Sequence, residues 1–198
     1  MKRMRIGIDL DGVVFMTLHR VLEKYNAIRG SKYTVDDVKT WDSHHWLDGD
    51  LLVYDLFRDP RIYRDLPVFP GAREILFELD QKHDVFLVTD TPVQCLPERM
   101  KQLEELFPPE EYRFTRERQM FVGKHKEHIV LDVLLDDKPE NIERFQEAGY
   151  GIPVVFDWTL NRHLHGYLRV RNWKEFGELM ARLEQEPDHP EKCREDKS

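Results

Sequence analysis

The side chains best suited to chemistry in this sequence are aspartates that arrive where apolar runs stop. Asp9 and Asp11 stand two apart in "IGIDLDGVVF", residues 6–15, with Gly12 directly after them. Thr89 and Asp90 close the run "DVFLVTD", and Asp136 and Asp137 close "LDVLLDD". Carboxylates beside buried strands are costly unless a partner or a function holds them there. Acids clustered without matching histidines or thiolates form a hard-cation site. Mg²⁺ in particular takes a few carboxylates and leaves its other positions to water and a substrate phosphate. In extended chain, residues i and i+2 face the same way, so Asp9 and Asp11 can share one site while Leu10 points to the core. Gly12 lets the chain turn at once and lets backbone N–H groups approach an anion. Thr89 offers a hydroxyl to the same phosphate.

A lone aspartate at a strand end is ordinarily a loop or helix-cap residue. Acids and a hydroxyl at three strand ends are a different matter, provided the strands lie side by side. The elements that must position them alternate along the chain. "MRIGIDL" is a buried strand, and "FMTLHRVLEKYNAI" a helix with Leu18, Val21, Leu22 and Tyr25 at i, i+3, i+4 and i+7. "DVFLVTD", "LDVLLDD" and "IPVVFDW" are further strands, and "RQMFVG" is a shorter candidate. Helices are expected in "FPGAREILFELDQK" with Pro70 near its first turn, in "LPERMKQLEELF", in "KPENIERFQEAG" ending at Gly149, and in "NWKEFGELMARLEQ". Between about 30 and 68 the pattern is helical but irregular, with a capping box at Thr34 and an amphipathic "DLLVYDLFRD". This order specifies an α/β fold: a Rossmann-like, mostly parallel sheet with helices on both faces. In such sheets ligands gather beyond the carboxyl ends of the strands, where these acids fall.

The motifs, in this order, resemble those of the haloacid-dehalogenase-like phosphohydrolases: "DLDGV" (9–13), Thr89 after "VFLV", a downstream lysine, and "LLDD" (134–137). Within that superfamily the sequence is most similar to the 5′(3′)-deoxyribonucleotidase branch, through "DLPVFPGA" (65–72), "VFLVTDTP" (85–92) and "DVLLDDKPENI" (132–142). The resemblance spans about residues 4–180 and is loose in the stretch between the first two motifs. It implies a Mg²⁺-dependent phosphatase for phosphate monoesters, (deoxy)nucleoside monophosphates above all. Asp9 would be the nucleophile that forms an aspartyl-phosphate, and Asp11 the general acid and then the base. Like charges on neighbouring acids would keep a proton on Asp11 near neutrality. Mg²⁺ would be held by Asp9, the Asp11 carbonyl and Asp136, with Asp137 a direct ligand or the holder of a metal-bound water.

"GKHKEHI" offers two lysines, Lys124 and Lys126. In the branch it resembles, the lysine lies ten residues before the first Asp of the pair, which selects Lys126 as the fixed cation on phosphate and nucleophile. Residues 16–68 would form a small helical cap inserted into a core of 1–15 and 69–186, with 187–198 a disordered tail. "TWDS" makes Trp41 the candidate for stacking on a base. The branch carries a second aromatic eight residues after the nucleophile, where this chain has Thr17 and has Phe15 two positions earlier. Both are therefore candidate substrate contacts. "VTDTP" is one residue longer than the branch's "TSP"-like motif, so Asp90 or Thr91 follows Thr89 in the phosphate loop.

Composition sets the frame. With 198 residues, 40% of them hydrophobic, and 11 Phe, 7 Tyr and 4 Trp, the chain can build one well-cored domain plus a smaller insertion. Two cysteines, Cys95 and Cys193, make no disulfide framework and point to a reducing compartment. "MKRMRIGID" is basic but lacks the apolar stretch of a signal peptide, and no run reaches membrane-span length. A cytoplasmic protein without a membrane partner is expected. The net charge of −8 speaks against binding a nucleic-acid polymer, though not against a small anion met by local cations or a metal. The paired histidines in "SHH", "KHKEH" and "NRHLH" lack a familiar ligand spacing and read as surface residues, while "NRHLHG" could also line the site's edge. A homodimer is allowed without being required. Two other functions fit less well: a phosphatase for another small phosphoester such as a sugar phosphate, which Thr17 would suit, and a non-catalytic binding or regulatory module on the same fold. A binding module has no need to keep Asp9, Asp11, Lys126, Asp136 and Asp137 together.

Overall fold

Apolar alternation decides which way each strand faces. In the computed structural model, which describes residues 3–41, 46–47 and 49–185, the strands are β1 (Arg5–Asp9), β2 (Asp84–Thr89), β3 (Met120–Val122), β4 (Val133–Asp136), β5 (Ile152–Phe156) and β6 (Leu168–Val170). They form one six-stranded sheet in the order β3-β2-β1-β4-β5-β6, and every pairing is parallel. Ile6, Ile8, Val85, Leu87, Val133, Leu135, Val154 and Phe156 join the main hydrophobic cluster on one face. Val88 and Leu134 alternate to the other face, where they pack with Leu131 and Phe145. Gly7 falls on that second face, and a Cβ there would lie 2.4 Å from a Leu131 methyl, so the strand runs close beneath Leu131 only because residue 7 has no side chain.

The helices are α1 (Thr17–Arg29), α2 (Leu52–Phe57), α3 (Ala72–Lys82), α4 (Leu96–Leu106), α5 (Arg113–Arg116), α6 (Pro139–Ala148) and α7 (Trp173–Leu183). Leu76 and Leu79 of α3, Leu103 of α4 and Phe176, Leu179 and Met180 of α7 pack on the first face, and Phe145 of α6 on the second. Helices therefore cover both faces, as the sequence order requires of a parallel sheet. Residues 16–68 leave the core after β1 and return beside their starting point: Met16 N–H donates to the Pro67 carbonyl (2.8 Å) and Phe69 N–H to that of Val14 (2.9 Å). Their apolar side chains, Val21, Tyr25, Val53 and Ile62 among them, continue the main cluster.

The structure departs from sequence expectation in three places, one of them the single-turn helix α5, which no pattern announced. The "TVDD" box does form, with Thr34 N–H donating to the Asp37 carboxylate at 2.7 Å, but it starts only a 3₁₀ turn, Val35–Asp37. β6 was not expected. It is three residues long and contains Arg169, so it lacks the apolar run that marks the other strands. The tail 187–198, Cys193, and His44 with His45 lie outside the described residues. Among those described, no helix is long and apolar enough to cross a membrane.

β1 is central, with β2 on one side and β4 on the other. The chain builds outward in one direction and then the other, which opens a crevice at the carboxyl ends beside β1. The loop after β1 turns tightly there: Val14 and Phe15 N–H both donate to the Leu10 carbonyl, at 3.0 and 2.8 Å. Trp173, fully buried at the start of α7, fixes that loop by donating its indole N–H to the Val13 carbonyl (2.9 Å). Trp173→Ala is expected to destabilise the protein by about 3–5 kcal/mol, and Trp173→Phe, which keeps most of the packing, by about 1 kcal/mol. Urea denaturation measures both, and near-equal losses would contradict this role for the indole N–H and its bulk.

Candidate active site

Two strand ends deliver three acids to one point. Asp9, at the end of β1, and Asp136 and Asp137, at the end of β4, are all buried, and each offers a carboxylate oxygen within 4.8 Å of the others. The counter-charge is Lys126, itself buried, in the 3₁₀ turn Lys126–His128. Its ammonium donates to Asp9 Oδ1 and to Asp136 Oδ2 at 2.6 Å. The structure thus brings Lys126 to the acids and leaves Lys124 exposed on the rim. Asp136 is held from the other side as well. Asn141, in the first turn of α6, donates to both its oxygens at 3.1 and 3.0 Å, and Lys138 N–H donates to Oδ1 at 2.8 Å.

This crowding sets the charges. Burial pushes the Asp9 carboxyl up to about 7 against the pull of Lys126, with Asp136 and Asp11 adding to the rise. Burial, then Asp9 and Asp136, push Asp137 well above the usual carboxylate range. For Lys126 burial acts to lower the value, but Asp136 and Asp9 outweigh it and the ammonium is held more firmly than usual. Three buried acids facing one lysine leave room for more positive charge. Their oxygen donors suit a hard divalent cation, and the chain has the means to hold one. Gly12 makes the close approach of the two strand ends possible: its φ is +87°, and a Cβ would sit 2.1 Å from Asp137 Oδ2.

Asp11 lives in different surroundings. The sequence placed like charges around it; the structure places a guanidinium and hydroxyls on its carboxylate. Arg99 Nη2 and Thr17 Oγ1 both donate to Oδ1, and Thr91 Oγ1 reaches Oδ2 at 3.5 Å. Arg99 comes from α4, far away in sequence, which is why spacing around Asp11 could not reveal it. Phe15 and Thr17, expected against the substrate, do not reach the cleft wall. Thr17 is buried and its hydroxyl is spent on Asp11, and the fully buried Phe15 carries the Arg99 guanidinium 4.5 Å above its ring.

The cleft in front of these groups encloses about 490 Å³ and is lined by Asp9, Asp11, Lys126 and Asp137, with Trp41, Phe57 and Tyr63 as aromatic surface. Trp41 stacks edge-on against Trp158 with centroids 4.7 Å apart. Asp90 is exposed on the cleft wall. Thr89 and Thr91 are buried behind it and share a hydroxyl contact of 2.8 Å.

Two further residues escaped the sequence reading. Asn161, fully buried after β5, donates to the Asp137 and Phe156 carbonyls, both at 2.8 Å, and so sets the backbone of the acidic pair. His163 and His165 of the same stretch point outward as exposed residues. Arg99 had a signal: Cys95, Arg99, Leu103 and Phe107 follow one another at intervals of four along α4 and its two caps, all buried, and a cation in that stripe demands an internal partner. His125 and His128 are exposed and stacked, with centroids 5.2 Å apart. His125 also meets Glu127 at 2.8 Å, a carboxylate neighbour that the sequence spacing did not suggest.

Comparison with known proteins bears on this geometry. Residues 3–185 match the family described as 5′ nucleotidase, deoxy (pyrimidine), cytosolic type C. The chain belongs to that family. It is 28% identical over 185 residues to the 5′(3′)-deoxyribonucleotidase of Clostridium acetobutylicum, covering 92% of this chain and 98% of that one. The 5′(3′)-deoxyribonucleotidase of Bacillus subtilis is also 28% identical, covering 86% of this chain and 94% of its own. Among solved structures, a haloacid-dehalogenase-family hydrolase of Deinococcus radiodurans with bound phosphate and sodium superposes with a TM-score of 0.62 at 13% identity, covering 91% of this chain and 96% of that one. The magnesium-bound putative hydrolase YfnB of Bacillus subtilis does so with a TM-score of 0.56 at 15% identity, covering 91% and 99%. The fold is that of the haloacid-dehalogenase-like superfamily, and the protein is a phosphoric monoester hydrolase of its nucleotidase branch.

The raised Asp9 carboxyl has a measurable consequence. Between the ordinary carboxylate value of 3.8 and about 7, the folded metal-free chain keeps a proton on Asp9 that the unfolded chain has released. This group's contribution to stability therefore falls as pH rises through that window, and a divalent cation that needs the ionised site reverses the loss. Added Mg²⁺ is expected to raise Tm more at about pH 8 than at about pH 5.5. Equal shifts at the two pH values would contradict the buried acidic site.

Proposed function

We propose that this nucleotidase hydrolyses pyrimidine deoxynucleoside monophosphates through a covalent intermediate on Asp9. The observation that carries this reading is the Asp9–Lys126–Asp136 cluster at the end of the central strand. There a carboxylate is fixed against a cation at the floor of an aromatic-sided cleft. An Asp9 oxygen attacks phosphorus, forming the Asp9 O–P bond as the bond to the ester oxygen breaks. Asp11 gives its proton to that departing oxygen. Asp11, now ionised, takes a proton from water while the water oxygen attacks phosphorus, which frees Asp9 and inorganic phosphate. Lys126 holds the nucleophile and meets the negative charge of the phosphoryl group throughout. Asp9, Asp136 and Asp137 would hold Mg²⁺, which neutralises phosphoryl charge when bound.

The insertion 16–68 acts as a cap that screens the site from water. Trp41, Phe57 and Tyr63 give a base its apolar walls, the part sequence reading had assigned to Phe15 and Thr17 alongside Trp41. The family and the names of the relatives favour a deoxynucleotide over a sugar phosphate, and a cytoplasmic setting.

Asp9→Asn is expected to lower phosphate release by about 1,000-fold or more while the circular dichroism spectrum and Tm stay close to those of the parent. Substantial activity in that variant would remove Asp9 as nucleophile. A panel of phosphorylated metabolites compared by kcat/KM is expected to rank deoxyuridine and thymidine monophosphates first, and a sugar phosphate at the top would overturn the substrate assignment.

A further inference from the structure

Among the described residues, Arg99 is the one buried arginine or lysine besides Lys126, and the proposed chemistry leaves it without a role. Its side chain is fully buried, and its guanidinium lies between two rings, 4.5 Å from the Phe15 centroid and 4.7 Å from that of Tyr63. Only Nη2 has a hydrogen-bond acceptor, Asp11 Oδ1; Nε and Nη1 are buried with none. A protein does not desolvate a guanidinium and leave two of its nitrogens unsatisfied for packing alone, because leucine or methionine would fill the same space at less cost. The rings offset part of the penalty through their negative faces, and they also fix the plane of the guanidinium. What that fixed plane accomplishes is to aim one N–H at one oxygen.

The contacts on Asp11 are unequal. Oδ1 accepts from Arg99 and from Thr17, whereas among the described residues Oδ2 has only the long Thr91 contact, 3.5 Å. The Asp11 side chain is 30% exposed toward the cleft while Arg99 behind it is wholly excluded from water. We propose that Arg99 is a positioning residue that clamps Asp11 by Oδ1 so that Oδ2 is the oxygen that passes a proton to the departing ester oxygen. Tyr63 belongs to the insertion and Phe15 to the loop after β1, so the clamp also ties the insertion to the acid. This inference rests on Asp11 being the proton donor, and its test separates the two ideas.

The test uses leaving groups. Deoxyuridine monophosphate releases an alkoxide that needs a proton, while p-nitrophenyl phosphate releases a stable phenolate that does not. Asp11→Asn is expected to slow leaving-group release in a single turnover, the step before the hydrolysis that needs Asp11 as base with either substrate, by about 100-fold or more on the nucleotide and under about 10-fold on the aryl ester. Failure of that split would remove Asp11 as the acid, and the clamp with it. Given the split, Arg99→Met should reproduce it, losing at least about 30-fold on the nucleotide and under about 5-fold on the aryl ester, with Arg99→Lys intermediate. In the Asp11→Asn background, Arg99→Met should cost less than about 3-fold further. Equal losses on both substrates, or losses that multiply in the double variant, would show that Arg99 only supports the fold. Should Arg99→Met fail to fold, Thr17→Val takes its place, since it removes the other Oδ1 donor without stranding a charge. It should give the same split, smaller in size, and a uniform loss would overturn the clamp.

Discussion

The structure is organised around one lysine among buried carboxylates. Lys126 must sit between Asp9 and Asp136, and every neighbouring feature serves that contact or its cost. Bringing charges out of water costs several kcal/mol each unless they meet partners. The site supplies partners from separated segments: β1, β4, the turn at 126–128 and the first turn of α6. A parallel sheet with β1 at its centre is the simplest scaffold that ends these segments at one place. Gly12 and Gly7 then serve close approach, one on the acidic edge and the other beneath Leu131. The remaining excess of negative charge suits the site to a divalent cation, which would in turn meet the charge of an approaching phosphate.

Asp9 and Asp11 are two residues apart and nonetheless stand in contrasting surroundings. Asp9 is buried against Lys126 and other acids, which suits a group that bonds to phosphorus and must be shielded from water. Asp11 faces the cleft with one oxygen tethered by Arg99 and Thr17 and the other met, among the described residues, only by the long Thr91 contact. Proximity in sequence puts both at the cleft; distant segments tell them apart. The insertion contributes on both counts, through the aromatic sides of the cleft and through Tyr63 against Arg99.

The fold was legible because its strands are nearly continuous apolar runs and its helices carry regular stripes. β6 was not, since an edge strand of three residues with a central arginine has no periodic signal. The acids of the site were legible too, because charge at the end of an apolar run is conspicuous. The groups that orient them were hidden. Asn161 and Asn141 look like ordinary polar residues until the chain brings them to Asp137 and Asp136. Phe15 was assigned outward because an aromatic near the nucleophile suggested a base; its ring proves to be the bed of a guanidinium instead. Thr17 likewise turned out to answer Asp11 and not the substrate.

The claim on which this mechanism stands is that Asp9 bonds to phosphorus. An acyl phosphate can be reduced by borohydride, which converts the aspartate that carries it to homoserine, whereas a free carboxylate resists. Rapid mixing of the protein, Mg²⁺ and deoxyuridine monophosphate, followed by borohydride and peptide mass spectrometry, reads this directly. Homoserine at position 9, dependent on substrate and absent from Asp9→Asn, is the expected result. Phosphate release with Asp9 unreduced and homoserine at another aspartate, or at none, would contradict it.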